Sequence, residues 1–300
     1  MMTDKTRKKM LLAVDGSENS LEIIRYVAKI PPFREMQLVL LNVHSKIPEA
    51  YWDLEKNSSV NWRMSEARAW DKERQKAIEV YMQKAEKILW RAGFPKECVT
   101  VKIQNRKRGF ARDIAREAER EYDGVLVGRK GMSNVKDLVL GSIATKLIGK
   151  VSFVPILVVG KKPQAGSVLV ALDGSENAMR AVDYAGKVLG GADFDARFIH
   201  VIRDDNPEYA NERKMQMNGV FDDAKDVLSG AGFDPERITT KIITGARSRA
   251  VAIAQEARDG GYGTIVVGRR GLSRVKDFLM GRVSDKLITL SKNHAVWVVN

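Results

Sequence analysis

The sequence predicts an α/β protein of two tandem Rossmann-like domains, each a five-stranded parallel sheet with helices on both faces. Short apolar runs alternate with longer segments of helical periodicity, which is the pattern of a parallel sheet buried on both faces. Much of the first half of the chain is repeated in the second half. A chain of 300 residues is also at the upper size limit of one domain, which favours two.

The offset between the two copies changes along the chain, and this change locates an insertion. Residues 11–19 match residues 169–177 at an offset of 158, whereas residues 91–94 match residues 230–233 at an offset of 139. The first copy therefore carries 19 extra residues between its second and third strands. We place this insert at about residues 47–71.

The seam between the copies is short and polar. Residues 161–166 read Lys-Lys-Pro-Gln-Ala-Gly, a composition typical of a domain boundary. The first domain is therefore predicted at residues 1–160 and the second at residues 167–300. The repeat is far longer than that of a solenoid, so it indicates a duplicated domain.

In the first copy, an apolar strand ends at Asp15, and Ser17 can cap the helix that follows. Gly93 and Pro95 end a long charged helix before the third strand. The predicted strands are residues 10–14, 37–43, 99–103, 125–128 and 155–159, and the predicted helices are residues 18–29, a long helix to Trp90, 110–120 and 142–150.

The second copy repeats this order. Its predicted strands are residues 167–172, 197–201, 238–243, 264–268 and 295–299, and its predicted helices are residues 176–189, 210–228, 249–258 and 282–290. Ligands of such sheets bind beyond the carboxyl ends of the strands, where the strand order reverses. If the first and fourth strands are neighbours, Asp15 meets Gly128 in one crevice, and Asp173 meets Gly268 in another.

The spacing Gly-x2-Gly-x9-Gly follows the fourth strand of each copy. The glycines are Gly128, Gly131 and Gly141 in the first copy and Gly268, Gly271 and Gly281 in the second. Backbone N–H groups approach a phosphate closely where no Cβ intervenes, and the helix that follows adds its positive end. The recurrence of the spacing favours a phosphate cradle over three unrelated turns.

The side chains around the glycines leave alternatives open. Asp15 either satisfies turn amides or reaches into the crevice, where it could accept from a ribose hydroxyl or a base, or hold a metal through water. Arg129 and Arg269 either neutralise phosphates or face solvent. The repeated Lys-Asp pairs at residues 136–137 and 276–277 are interpreted as structural ion pairs.

The chain lacks the usual signs of catalysis. It has no Gly-x4-Gly-Lys-Ser/Thr loop, no Gly-x-Ser-x-Gly elbow and no Ser/His/Asp order shared by both copies. His44, His200 and His294 do not recur between the copies or match a metal-ligand spacing. We therefore predict no catalytic and no metal-binding residues, and binding rather than turnover.

Composition narrows the classes of function. The net charge is +13, divided into +10 for residues 1–160 and +3 for residues 161–300, which favours anionic ligands. The cations are interspersed with acids at helical spacing, so a nucleic-acid surface is disfavoured. No apolar stretch approaches the roughly 20 residues that span a bilayer. The single cysteine, Cys98, fits a reducing cytoplasm.

Together, these motifs resemble the universal stress protein family. The resemblance rests on the Val-Asp-Gly-Ser start at residues 14–17, the glycine spacing that ends in Gly141-Ser142, and the Pro-Ile-Leu-Val-Val strand at residues 155–159. It covers both copies apart from the insert. It implies a fold of the adenine nucleotide α hydrolase type and, from the glycine pattern, the ATP-binding branch of the family.

The resemblance also implies site residues, with Asp15 and Val43 near the ribose and adenine. The implied ATP-binding residues of the first domain are Asp15, Val43, Gly128, Arg129, Gly131, Gly141, Ser142 and Ile143. Those of the second domain are Asp173, Val201, Gly268, Arg269, Gly271, Gly281, Arg282 and Val283. Arg282 replaces the Ser or Thr of the family pattern, so it either pairs with phosphates or blocks the pocket.

The implied function is a nucleotide-dependent regulator of the stress response that binds ATP, with or without Mg²⁺. The alternatives are a slow ATPase or a self-phosphorylating enzyme, and an interaction module that needs no nucleotide. Family members commonly pair through the last strand, so we expect residues 155–159 and 295–299 to meet edge to edge. The protein partner and dimerisation of the whole chain stay open.

Overall fold

The computed structural model describes residues 7–45, 61–131, 140–204, 206–271 and 280–300, and for residues 61–68 it describes the backbone alone. Strands and helices alternate through both halves, as the sequence predicts. The strands are β1 Lys9–Ala13, β2 Gln37–His44, β3 Val99–Asn105, β4 Gly124–Gly128, β5 Ile156–Val159, β6 Ser167–Ala171, β7 Asp195–Val201, β8 Ile238–Ile243, β9 Thr264–Gly268 and β10 Ala295–Val299. The helices are α1 Glu18–Ala28, α2 Asn61–Arg91, α3 Phe110–Ala118, α4 Ser142–Lys150, α5 Glu176–Leu189, α6 Pro207–Gly230, α7 Arg249–Asp259 and α8 Arg282–Leu290.

All ten of these strands form one sheet, in the order β3-β2-β1-β4-β5-β10-β9-β6-β7-β8. Within each half the strands are parallel, and β1 lies beside β4 as β6 lies beside β9. The halves meet where β5 pairs antiparallel with β10, with Val159 opposite Ala295 and Ile156 opposite Val298. The predicted edge-to-edge pairing of the two last strands is confirmed.

Alternate residues of each strand point to opposite faces of the sheet, so the apolar side chains divide into two layers. On one face, Leu12, Leu126 and Trp297 belong to an apolar cluster that also includes residues of α1, α2, α5 and α6. On the other face, Leu11 and Val296 belong to a cluster with residues of α3, α4, α7 and α8. Each layer runs through both halves, so the seam between the domains is part of the core.

The insert is placed partly inside a helix. α2 has 31 residues and its counterpart α6 has 24. Residues 61–71 of the predicted insert lie in α2, and the first seven of them, residues 61–67, extend this helix at its N-terminal end relative to α6. Residues 46–60 lie outside the described part of the chain. Among the described helices, none is both long enough and apolar enough to cross a bilayer.

One hydrogen-bonded cluster crosses the seam inside the first of these layers. The Tyr26 hydroxyl lies 2.7 Å from Thr264 Oγ1, and Trp297 Nε1 donates to the Tyr26 hydroxyl at 3.0 Å. Tyr26 belongs to the first half, and both of its partners belong to the second. Trp297 also meets Tyr184 edge to face, with ring centroids 5.8 Å apart.

Candidate functional site

The predicted site residues of the first half meet at the carboxyl ends of β1 and β4. A Cβ on Gly131 would overlap the Asp15 carboxylate, and a Cβ on Gly141 would lie 3.1 Å from the Arg129 carbonyl oxygen and 3.7 Å from the Gly131 nitrogen. The Gly141 N–H donates to the Arg129 carbonyl at 2.8 Å. Asp15 and the glycines are therefore neighbours, and the contacts leave no room for larger side chains at Gly131.

Asp15 also organises the turn into α1. Its Oδ1 accepts from the Ser17 N–H at 3.0 Å and from the Ser17 hydroxyl at 2.6 Å. The Ser17 side chain accepts in turn from the Ser20 N–H, so the predicted cap of α1 is confirmed. Gly16 between them has φ +87°, a conformation that favours glycine. This turn fixes the Asp15 carboxylate at the mouth of the crevice.

The helix α4 begins at this crevice. Gly141 is its N-cap residue and supplies no side-chain hydrogen bond to the first turn, Ser142 is exposed, and Ile143 packs partly buried against the core. The first N–H groups of a helix have no partner within the helix and carry its positive end. The start of α4 therefore presents donors suited to an anion beside the Asp15 carboxylate.

The second half repeats this geometry. A Cβ on Gly271 would overlap the Asp173 carboxylate, and a Cβ on Gly281 would lie 3.2 Å from the Arg269 carbonyl oxygen. Asp173 Oδ1 accepts from the Ser175 N–H at 3.0 Å. Gly268, at the end of β9, packs so closely on the start of α5 that a Cβ would lie 2.8 Å from the Asn177 carbonyl.

Gly281 and Val283 repeat the roles of Gly141 and Ile143 at the start of α8. Gly281 is the N-cap residue of α8, and Val283 packs partly buried against the core. Arg282 is exposed at the position of Ser142. The second crevice thus keeps the backbone of the first and adds a cation.

Val43 and Val201 lie in β2 and β7, next to the strands that carry the aspartates, and both are buried. In the register of the sheet, Val43 pairs with Gln104 and Val201 with Ile243. The residues before them bond the neighbouring strand ends: Asn42 Nδ2 donates to the Val14 carbonyl at 2.9 Å, and His200 Nδ1 lies 2.7 Å from the Leu172 carbonyl. Both valines therefore lie at the crevice ends of their strands.

Arg129 and Arg269 do not face solvent, which corrects one of the two interpretations given above. They are 6% and 5% exposed. Arg129 Nε and Nη2 donate to the Ile288 and Thr289 carbonyls at 3.2 and 2.7 Å, at the end of α8.

Arg269 makes the reciprocal contacts with the first half. It donates through Nη1 to the Val151 carbonyl at 2.6 Å and through Nη2 to the Ile148 carbonyl, at the end of α4. The other interpretation, phosphate neutralisation, stays a prediction. Cations stabilise helix C-termini, so each arginine ties its own loop to the other half.

Two further arginines contact the second crevice, and the sequence reasoning missed both. Arg213 Nη2 donates to the Asp173 carbonyl at 3.3 Å, and Arg249 Nε donates to the Val201 carbonyl at 3.1 Å. An alignment of the copies at the 139-residue offset gives a signal for one of them, because Arg249 stands where the first copy has Phe110.

The pKa of His200 depends on the charged groups around this crevice. Burial lowers the pKa of His200, and the positive charges of Arg213 and Arg249 lower it further, against the effects of the Leu172 carbonyl and of Asp173. The neutral ring must donate from Nδ1, since its neighbour is a carbonyl oxygen. The imidazole therefore adds no charge to the crevice near neutral pH.

Residues 132–139 and 272–279, which lie between the second and third glycines of each copy, are outside the described residues. The repeated Lys-Asp pairs at residues 136–137 and 276–277 fall there. Within the ranges that the structure describes, no group of three or more His, Cys, Asp or Glu side chains could hold a metal ion.

Comparison with known proteins identifies the family. The Universal stress protein family model matches the chain twice, at residues 6–160 and 165–300. The chain is 28% identical over 141 residues to universal stress protein YxiE of Bacillus subtilis, which covers 41% of this chain and 92% of that protein. The chain belongs to the universal stress protein family, with two domains in tandem, and the family connects it with the stress response.

Solved structures share the fold over the whole chain. A universal stress protein from Archaeoglobus fulgidus has a TM-score of 0.65 at 23% identity, covering 98% of this chain and 99% of that one. A structure from Pseudomonas aeruginosa has a TM-score of 0.57 at 16% identity, covering 98% of this chain and 94% of that one. The tandem arrangement of the two domains is therefore found in other solved proteins.

Proposed function

We propose that this chain is an ATP-binding regulator of the stress response, and that its first domain holds the nucleotide. The observation that carries the proposal is the meeting of Asp15, Gly131 and Gly141 at the start of α4. A carboxylate and the first N–H groups of a helix, which have no partner within that helix, lie side by side there. This combination suits a ligand with hydroxyl donors at one end and phosphates at the other.

Each group has a distinct part in the proposed complex. The N–H groups of Ser142 and Ile143 donate to phosphate oxygens, because the helix end is positive and Gly141 has no side chain in the way. The Asp15 carboxylate accepts from a ribose hydroxyl, and its bonds to Ser17 hold it in place. Val43 borders the adenine.

We infer that Phe110, at the start of α3, adds an apolar ring to the rim of the same crevice, because its counterpart Arg249 contacts the Val201 carbonyl. It is partly buried against the core, and the Arg106 guanidinium lies 5.3 Å from its ring centroid. A planar base packs favourably on such a surface. With Asp15 and the start of α4, this rim would let the first crevice contact base, ribose and phosphates together.

The proposed role is regulation rather than turnover. Bound ATP would link Asp15, the glycine loop and α4, and α4 ends at the carbonyls that hold Arg269 of the second domain. Binding energy at the first crevice would thus favour one arrangement of the two domains and one affinity for a protein partner. Mg²⁺, if used, would be held by the ATP phosphates and through water by Asp15.

The test is isothermal titration of the full-length chain with Mg-ATP, compared with two valine variants of α4. Gly141→Val fills the space beside the Gly131 nitrogen, where a Cβ already comes within 3.7 Å. Gly149→Val is the matched control, because a Cβ at Gly149 meets nothing within 4 Å. We expect Gly141→Val to weaken ATP binding at least about tenfold, or 1.4 kcal/mol, and Gly149→Val to leave it unchanged.

Two results would contradict the proposal. Either ATP fails to bind the unsubstituted chain, or both variants bind it with unchanged affinity. Phosphate release measured in the same samples tests the enzyme alternative. Turnover that disappears in Gly141→Val and persists in Gly149→Val would replace regulation by catalysis.

A further inference from the structure

We propose that the crevice of the second domain binds a linear oligophosphate between arginines and does not recognise a base. The proposal rests on the proposed function, since it compares the second crevice with a first crevice that takes ATP. The sequence repeat suggests that the two crevices bind the same ligand, whereas this proposal gives the second crevice a different class of ligand.

Two guanidinium groups lie against the strand ends that form the second crevice. Arg213, from α6, bonds the Asp173 carbonyl at 3.3 Å, and Arg249, from α7, bonds the Val201 carbonyl at 3.1 Å. Asp173 and Val201 correspond to Asp15 and Val43, the residues proposed for the ribose and the base. Arginine side chains thus lie where the first domain would meet a nucleoside.

A third cation stands at the helix end. Arg282 is exposed at the first position of α8, beside Gly281. The backbone around Gly281 repeats that around Gly141, with a Cβ 3.8 Å from the Gly271 nitrogen. The second crevice therefore keeps the helix N–H groups and adds an arginine at the first position of the helix.

The same three positions differ in the first domain. Phe110 replaces Arg249 and Ser142 replaces Arg282. The equivalent of Arg213 is Arg74, whose guanidinium lies over the Trp70 ring at 5.2 Å from its centroid. At these three positions the second domain gains two positive charges and loses the aromatic ring, whereas Arg106 of the first domain is replaced by Gly245.

Three other titratable residues lie on the elements that carry these arginines or next to them. Asp173 supplies the facing carboxylate, and its Oδ1 accepts from the Ser175 N–H while Oδ2 packs on Gly271. His200 is buried and its pKa is lowered, first by burial. Asp285, in the first turn of α8, is the acid nearest to Arg282 in sequence.

Arginines select phosphate because the planar guanidinium donates two parallel hydrogen bonds to its oxygens. A base needs an apolar or aromatic surface and polar groups that are not already engaged. The Val201 carbonyl is already bonded to Arg249. A chain of phosphates meets three cations and a helix end, whereas adenine meets a charged side chain.

The experiment is calorimetric titration of the full-length chain, first saturated with ATP, with sodium tripolyphosphate. We expect one tripolyphosphate per chain in addition to the ATP. The double variant Arg249→Phe/Arg282→Ser, which installs the first-domain residues, should weaken tripolyphosphate at least tenfold. Arg258→Ser, an exposed arginine at the far end of α7, is the control and should leave it unchanged.

A second series titrates the ATP-saturated chain with adenosine. Adenosine should not bind, because ATP occupies the first crevice and the second does not recognise a base. The proposal is overturned if tripolyphosphate does not bind, if the double variant binds it as well as the control does, or if adenosine binds. Failure of ATP to bind the unsubstituted chain would overturn the first-domain proposal instead, and the tripolyphosphate titrations would still decide the second.

Discussion

Tyr26 and Tyr184 occupy equivalent positions, on α1 and α5, and face the same seam from opposite sides. The Tyr26 hydroxyl has Thr264 and Trp297 of the other domain as partners. Tyr184 faces Gly124, which stands where the second copy has Thr264, and its buried hydroxyl has no hydrogen-bond partner among the described residues. The two copies share the backbone and the tyrosine, but the threonine that pairs with the tyrosine hydroxyl is present at one of the two equivalent positions.

The same division holds at the crevices. Three structural features recur in both halves. They are the aspartate packed on a glycine, the glycine before the last helix, and the arginine that contacts the other domain. Asp15 and Val43 recur as Asp173 and Val201, whereas Phe110 and Ser142 are replaced by Arg249 and Arg282. The comparison teaches that the duplicated architecture is preserved while binding specificity diverges at a few positions.

The largest expected effect comes from removing a buried arginine of the seam. Arg269→Ala leaves the Ile148 and Val151 carbonyls at the end of α4 without their donor. Hydrogen bonds to charged groups contribute about 1.5–3 kcal/mol each, so we expect the free energy of unfolding to fall by about 3 kcal/mol. Urea denaturation measures it.

The neighbouring exposed arginine is the control for this prediction. Arg270→Ala should change the free energy of unfolding by less than about 0.5 kcal/mol. An Arg269→Ala protein as stable as Arg270→Ala would show that the reciprocal arginines do not hold the domains together.

The next largest effect is the change in the free energy of unfolding when each of the two tyrosines is replaced by phenylalanine. The two changes should differ in sign. Tyr26→Phe removes a hydroxyl bonded to two partners and should lower the free energy of unfolding by about 1–2 kcal/mol. Tyr184→Phe removes a buried hydroxyl without a partner, so stability should stay the same or rise by up to about 1 kcal/mol. Thermal and urea unfolding of the pair measure this. Equal losses in the two variants would contradict the asymmetry of the seam.

The smallest effect concerns pH. Because burial lowers the pKa of His200 below 6.5, the unfolded chain binds its proton more readily than the folded one. The resulting stability is fully present above pH 6.5 and declines as the pH falls below that value. His200→Asn installs the first-domain residue, Asn42, and should make that decline shallower. Burial also lowers the pKa of His294, so part of the loss of stability at low pH should remain in the His200→Asn chain.

The measurement is the urea midpoint as a function of pH, from roughly pH 7 to 5. The unsubstituted chain and His200→Asn should agree at the upper end and diverge towards the lower end. Identical slopes would mean that His200 contributes nothing to the acid sensitivity.

Sequence reasoning recovered the architecture because each element had a local cause. Apolar runs defined the strands, Ser17 marked a helix start, and the repeat supported each assignment twice. The fate of Arg129 and Arg269 depended on carbonyl groups more than 100 residues away, in a helix of the other domain. No local pattern encodes such a partner, because every residue has a carbonyl.

The residues of the crevices that lie at strand ends and helix starts were predicted, whereas the arginines that reach the second crevice from other helices were not. Asp15 and the glycines are tied to strand ends and to a helix start, so their meeting followed from the strand order. Arg213 and Arg249 reach the crevice from helices without a motif of their own. A position-by-position comparison of the two copies would have indicated Arg249, because the first copy has Phe110 there. It would not have indicated Arg213, because the first copy has an arginine, Arg74, at the equivalent position.

The most direct test of the central claim is to denature the freshly purified full-length chain and count the adenine nucleotides released. The account predicts one ATP per chain, and none from the Gly141→Val chain. Two per chain would contradict the difference drawn between the crevices. None, together with no rise in melting temperature on adding Mg-ATP, would contradict nucleotide binding by the first domain.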